Sequence, residues 1–172
     1  MSADVESCEV CGFVWDRVSP AEVAPRIVLA TSKFDRLLKS DPERARRRPT
    51  PDRWSALEYG CHVRDVLIHV RDRVVLGAVD DNPTPHALYG SQRIELGLYA
   101  NEVPSVVGDE LRVVGALFGR TFDSLPPGFG DRPMFHGWPR AATRTLSWVA
   151  AQALHECEHH LADAQEDLGA LA

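Results

Sequence analysis

A chain of 172 residues, 44% hydrophobic and 26% charged, has room for one domain with a real core and the composition of a globular protein rather than a disordered or fibrous one. Its net charge of −6 argues against a general nucleic-acid backbone binder, which needs clustered Lys and Arg. No apolar run approaches the roughly 20 residues that span a bilayer, and Met1 to Glu6 lacks the basic and apolar regions of a signal peptide. The expectation is a cytoplasmic protein with no membrane and no nucleic-acid partner.

The four cysteines, Cys8, Cys11, Cys61 and Cys157, read in that setting as thiols or metal ligands rather than as a disulfide framework. Cys8 and Cys11 form a C-x-x-C hook within an N-terminal extension, residues 1–18, ahead of a single helical domain, residues 19–172. A hook of two cysteines is half a structural zinc site, and Cys61 is one candidate to help complete it.

Ser19-Pro20-Ala21-Glu22 opens the first helix. Ser19 caps it, Pro20 suits the first turn, and Glu22 reaches back to close a capping box, so a helix should run to about Leu38 or Ser40. The basic run Arg44, Arg46, Arg47 and Arg48 lies between prolines and reads as a solvated loop. Ser55-Ala56-Leu57-Glu58 repeats the capping signature, and apolar residues recur at helical spacing from Leu57 to Val79. A third helix is expected from Val103 to Leu125, ending at Pro126-Pro127-Gly128, and a fourth from near Ser147 to Leu168. The segment from Gly128 to Arg140 mixes Gly, Pro and aromatics and could fold over one end of the molecule. No stretch alternates with period two, so the fold class is all-α, a four-helix bundle. The connections, roughly 14 to 22 residues long, exceed those of simple up-and-down bundles, which suggests that some cross the bundle.

The last helix carries His155-Glu156-Cys157-Glu158-His159-His160, which contains the zinc-protease pattern H-E-x-x-H. A protease also needs Glu156 as general base and a third ligand downstream. Glu166, seven residues past His159 along the same helix, cannot close on the ion. His155 and His159 are four apart and share a face, whereas His160 is rotated by about 100° and is expected to point elsewhere. By the same rotation Glu156 and Glu158 fall on the solvated side and Cys157 is a small buried residue. A third ligand is better sought upstream, where His62 lies about two turns into the second helix.

Arg53 to His69, "RWSALEYGCHVRDVLIH", and Leu154 to Ala164, "LHECEHHLADA", resemble the two signature helices of the DinB-like superfamily, the DinB/YfiT-like metalloenzymes. That pattern falls on Trp54, Ser55, Glu58 and His62, then on His155 and His159. The resemblance implies an up-down-down-up bundle with a divalent ion, zinc or nickel, held by His62, His155 and His159. It also implies thiol chemistry, since the family includes mycothiol- and bacillithiol-dependent S-transferases and mycothiol-dependent maleylpyruvate isomerase. The opening "CEVCGF" resembles an actinobacterial subset, which favours mycothiol as cosubstrate.

On this reading an ionised thiol attacks an electrophilic small molecule to give a thioether. Asp65, three residues after His62, and Asp163, four after His159, are the carboxylates placed to orient a ligand imidazole or move a proton. Arg53, Arg64, Arg132 and His136 are candidates to recognise a polar cosubstrate or close the pocket. Two rival readings are a metal-dependent hydrolase and a non-catalytic metal-binding or stress-response bundle that self-associates as a homodimer. An enzyme should show an open pocket beside the ion. A structural site should be closed by a fourth ligand or lie under the loop from Phe135 to Trp138.

Overall fold

The computed structural model describes residues 6–171, so the first five residues of the N-terminal extension lie outside it. Four long helices carry the fold: α1 (Pro20–Ser40), α3 (Ala56–Val79), α5 (Pro104–Asp123) and α6 (Leu146–Ala170). Two short helices, α2 (Pro42–Ala45) and α4 (Gly90–Glu95), and an antiparallel hairpin of β1 (Pro133–His136) and β2 (Ala142–Thr145) complete it.

Each long helix starts where local chemistry satisfies its free N–H groups. Both capping boxes form: Ser19 N donates to Glu22 Oε2 at 3.0 Å and Ser55 N to Glu58 Oε2 at 2.8 Å. Pro104 occupies the first turn of α5, and Thr145 Oγ1 accepts from Trp148 N to cap α6.

Contacts at the helix ends set the topology. Gly60 at the start of α3 faces Leu38 at the end of α1 and Val107 at the start of α5, so α3 runs opposite to α1 and parallel to α5. Gly77 at the end of α3 meets Leu146 at the start of α6, which makes α6 antiparallel to α3 and parallel to α1. The result is up-down-down-up. α1 and α3, consecutive in sequence, sit on a diagonal and pack through α5 and α6, as the long connections suggested. α1 and α5 approach closely because glycines face α1: a Cβ at Gly115 would lie 2.6 Å from Thr31 Oγ1. Phe34, Leu38, Leu67, Leu111, Phe118 and Leu154 fill the shared core.

The hairpin was not anticipated, because strands of four residues are too short to display alternation. It comes from the segment expected to fold over a bundle end and it does cover one. Arg132 donates to the carbonyls of Gly77 and Asp80 and pairs with Asp81, placing positive charge at the C-terminus of α3, while Met134 is buried against Gly77. At the other edge, Asp65 on α3 accepts from Tyr99 at 2.8 Å and from Arg93 at 2.6 Å, which fastens the connection carrying α4 across the His62 ring. The N-terminal hook turns tightly, with Cys8 N donating to Phe13 O and Gly12 N to Cys8 O. It runs into the buried Trp15 against α6.

Candidate metal centre

The histidines on α6 gather in two clusters, joined by a third group in which Asp163 meets both His159 and His160. His62 on α3 meets Glu156 and His160: Glu156 Oε2 is 3.2 Å from His62 Nε2 and 3.3 Å from His160 Nε2. His155 and His159, whose rings are 5.0 Å apart, gather instead with Cys8 and Cys11, and the four donor atoms lie within 4.8 Å of one another. The expected set of His62, His155 and His159 is thus not brought to one point. The bundle cluster draws its candidate donors on α6 from one residue further along, as an E-x-x-x-H pair.

That offset corrects two expectations. Glu156, expected in solvent, is 8% exposed, and His160, expected to point away, faces His62. Both follow from the same rule that paired His155 with His159. Residues 156 and 160 are also four apart and share a face, turned about 100° from the first pair toward α3. The sequence contained this signal, but a search for histidine pairs alone passes over a carboxylate ligand.

The donor geometry suits an ion. Two atoms bound to one zinc at about 2.1 Å stand about 3.0–3.4 Å apart for bond angles near 90–110°. The two separations at Glu156 Oε2 fall within that range. The other oxygen of Glu156 accepts from Gln152 Nε2 at 2.7 Å, and Gln152 Oε1 accepts in turn from Trp15 Nε1. Burial opposes the charge of Glu156, but the imidazoles of His155, His160 and His62 outweigh it and hold the carboxyl well below the usual range. An ionised carboxylate is therefore in place.

Asp163 sits behind the centre. His160 Nδ1 donates to Asp163 Oδ2 at 2.9 Å, which leaves Nε2 aimed at Glu156 and His62, the arrangement that fixes a ligand imidazole's tautomer. His160 is buried, which disfavours its cation, yet the bonds to Asp163 and Glu156 prevail and raise its pKa to about 9. Asp163 is also 3.5 Å from His159 Nε2. Aromatic rings wall the cluster: Trp54 is 5.3 Å from the His62 ring, and Tyr59 stacks on His160 at 5.2 Å.

The remaining expected residues have other partners. Asp65 binds Arg64, Arg93 and Tyr99 rather than His62. Arg53 pairs with Asp167, Arg64 with Glu102 and Glu110, and Arg132 caps α3. His136 is buried beside Trp148. Glu158 forms a two-pronged pair with Arg26, and Arg48, expected in a solvated loop, clamps Glu58. Cys61 is fully buried on α3, away from the hook, its thiol pushed up to about 12 by burial. Cys157 is fully buried as expected.

Residues 26–164 match the DinB superfamily. Among solved structures, YfiT from Bacillus subtilis, described as a probable metal-dependent hydrolase with an unusual four-helix bundle topology, is similar to the chain with a TM-score of 0.78 at 14% identity, covering 88% of each chain. A histidine-to-alanine mutant of mycothiol-dependent maleylpyruvate isomerase is similar with a TM-score of 0.69 at 13% identity, over 87% of this chain and 62% of that one. No curated protein matches the sequence.

Proposed function

The chain belongs to the DinB superfamily, and we propose that it is a metal-dependent enzyme whose ion, zinc or nickel, is held by His62, Glu156 and His160, and which transfers a low-molecular-weight thiol to an electrophilic small molecule. The observation that carries this reading is the convergence of His62 Nε2, Glu156 Oε2 and His160 Nε2. Three protein ligands leave positions open, as catalytic sites do. An ion there lowers the pKa of a thiol or a water offered to it, so that the nucleophile is ionised near neutral pH.

The chain's own residues set up that chemistry. Glu156 offsets part of the ion's charge, and Gln152 holds its second oxygen so that Oε2 stays on the histidines. Asp163 orients His160, while Trp54 and Tyr59 keep bulk water from the imidazole faces. Asp65 acts at a distance, pinning the α4 connection over His62 through Arg93 and Tyr99. Mycothiol is the thiol favoured by the resemblance of the N-terminal hook, and the isomerase named above depends on that thiol.

Clefts of ≈350 Å3 beside Phe122 and Pro126 and of ≈240 Å3 beside Arg26 and Leu161 lie away from the triad. The triad reaches the surface narrowly, with the His62 and His160 side chains 10% and 15% exposed. That narrow opening supports a second reading in which water is the nucleophile and the reaction is hydrolysis.

The test loads the protein with zinc or nickel and follows conjugation of mycothiol and simpler thiols to monochlorobimane. His62→Ala and Glu156→Gln are run in parallel, with metal content measured by mass spectrometry. Conjugation above the uncatalysed rate that disappears in both variants supports thiol transfer. Loaded protein that leaves every thiol at the background rate overturns it, and ester hydrolysis without thiol selects the second reading.

A further inference from the structure

The hook and the other face of α6 form a separate cluster that the proposed activity does not use. We infer that Cys8, Cys11, His155 and His159 are a second, closed metal site, a Cys2His2 centre for zinc or a similar thiophilic divalent ion, which staples the N-terminal segment to α6.

Four observations support it. The four donor atoms all lie within 4.8 Å of one another, and Cys8 Sγ is 3.9 Å from His159 Nδ1, close to the separation of about 3.6 Å that tetrahedral zinc imposes on a sulfur and a nitrogen. His155 is 2% exposed, and neither ring nitrogen has a hydrogen-bond partner. Its Nδ1 comes within 3.4 Å of Glu156 Oε1 without the alignment of a hydrogen bond. A buried imidazole left so on both nitrogens is costly unless something else binds it. The hook also favours a thiolate, the form that binds a metal: Cys8 and Cys11 flank a tight turn closed by Gly12 at φ +71°, and backbone N–H groups of Val10 and Cys11 face the Cys8 sulfur. Finally, Phe13, Trp15 and Trp138 pack at 5.2, 5.0 and 6.1 Å around the His155 ring. The site therefore meets the description of a structural centre, with four protein ligands and a cover from the loop after Phe135.

The ligand class follows from the donors. Two thiolates and two neutral imidazoles match zinc and not magnesium or calcium, which take oxygen ligands. Two thiolates also balance a divalent charge, so the filled site is neutral overall. A Cys8–Cys11 disulfide would leave His155 with no polar contact beyond that to Glu156. The staple has a role for the neighbouring cluster: the hook leads directly into Trp15, whose indole holds Gln152 against Glu156.

The experiment measures zinc stoichiometry in wild type, Cys11→Ser and His62→Ala, and records the absorption of the cobalt-substituted proteins. Cys11 is exposed, so its replacement leaves the core intact. The inference expects a thiolate-to-cobalt charge-transfer band in wild type and His62→Ala, its loss in Cys11→Ser, and one zinc fewer in Cys11→Ser than in wild type. On the unaltered protein, Cys8 and Cys11 should resist alkylation until a chelator is added. Zinc content unchanged by Cys11→Ser, a cobalt spectrum without the thiolate band, or equal alkylation with and without chelator overturns it. Because His62→Ala keeps the band if only the bundle site fails, the two proposals fail separately.

Discussion

Asp163→Asn isolates the role of the carboxylate behind His160. The substitution keeps the side chain's shape and an oxygen that can accept from His160 Nδ1, now 2.9 Å away, so the fold and all three proposed ligands remain. What it removes is the negative charge that makes the imidazole a better donor. Loss of such a partner typically costs about 10- to 100-fold in metal affinity, or about 1.4–2.7 kcal/mol. His160 titrates near 9, so at neutral pH a proton competes with the ion, and Asn also weakens that proton's hold. The two effects partly cancel at pH 7, and the full loss should emerge as the buffer is raised to about pH 9. A chromophoric chelator competed against the protein at both pH values reads the affinity, and the cobalt–thiolate band reports the Cys8 site independently. If affinity at the bundle site is unchanged at the higher pH while the thiolate site weakens, Asp163 serves His159, 3.5 Å away, and the assignment of His160 is refuted.

Glu156→Gln should remove the ion of the bundle site and leave the thiolate site filled, and mass spectrometry showing full metal content would contradict the triad. Asp65→Asn should lower stability by about 2–3 kcal/mol in urea unfolding, because it removes the charge paired with Arg64 and Arg93 and sets an NH2 against one of them, with metal content unchanged. Loss of metal on that substitution would restore Asp65 to the centre. Glu58 supplies a pH dependence: burial opposes its ionisation, but Arg48 and the Ser55 amide outweigh it and lower its pKa in the folded state. Its contribution is present above its unfolded pKa and lost as pH falls through the lower folded value. Melting curves of wild type and Glu58→Gln should therefore differ by about 1–2 kcal/mol at neutral pH and converge in acid. A constant gap would place the stabilisation elsewhere.

The four helices were legible because each boundary is marked by local chemistry. Ser19 with Glu22, Ser55 with Glu58 and the two prolines after Leu125 act within a few residues of themselves, and tertiary packing does not override them. α4 and the hairpin were not legible, since their stability comes from tertiary partners. Arg132 reaches back to the end of α3, and Arg93 and Tyr99 converge on Asp65. At the candidate centre, His62 was singled out from its place on α3. The hook's destination was not, because a C-x-x-C turn states that two thiols are close and says nothing of which helix it meets.

The H-E-x-x-H pattern misleads for a geometric reason that also explains the whole run from His155 to His160. Taking His155 as zero, rotation of about 100° per residue puts His159 at about 40°, Glu156 and His160 at about 100° and 140°, Cys157 at about 200° and Glu158 at about 300°. In a bundle where α6 packs against both α3 and α1, those directions are not equivalent. The first meets the hook, the second His62 on α3, the third the apolar core and the last Arg26 on α1. A protease would need Glu156 beside the ion bound by His155 and His159, working on water. Here its Oε2 joins His62 and His160 instead, and its other oxygen is held by Gln152. Six consecutive residues thus supply two proposed ligand pairs, one core thiol and one interhelical ion pair, each assigned by its angle about a single helix axis.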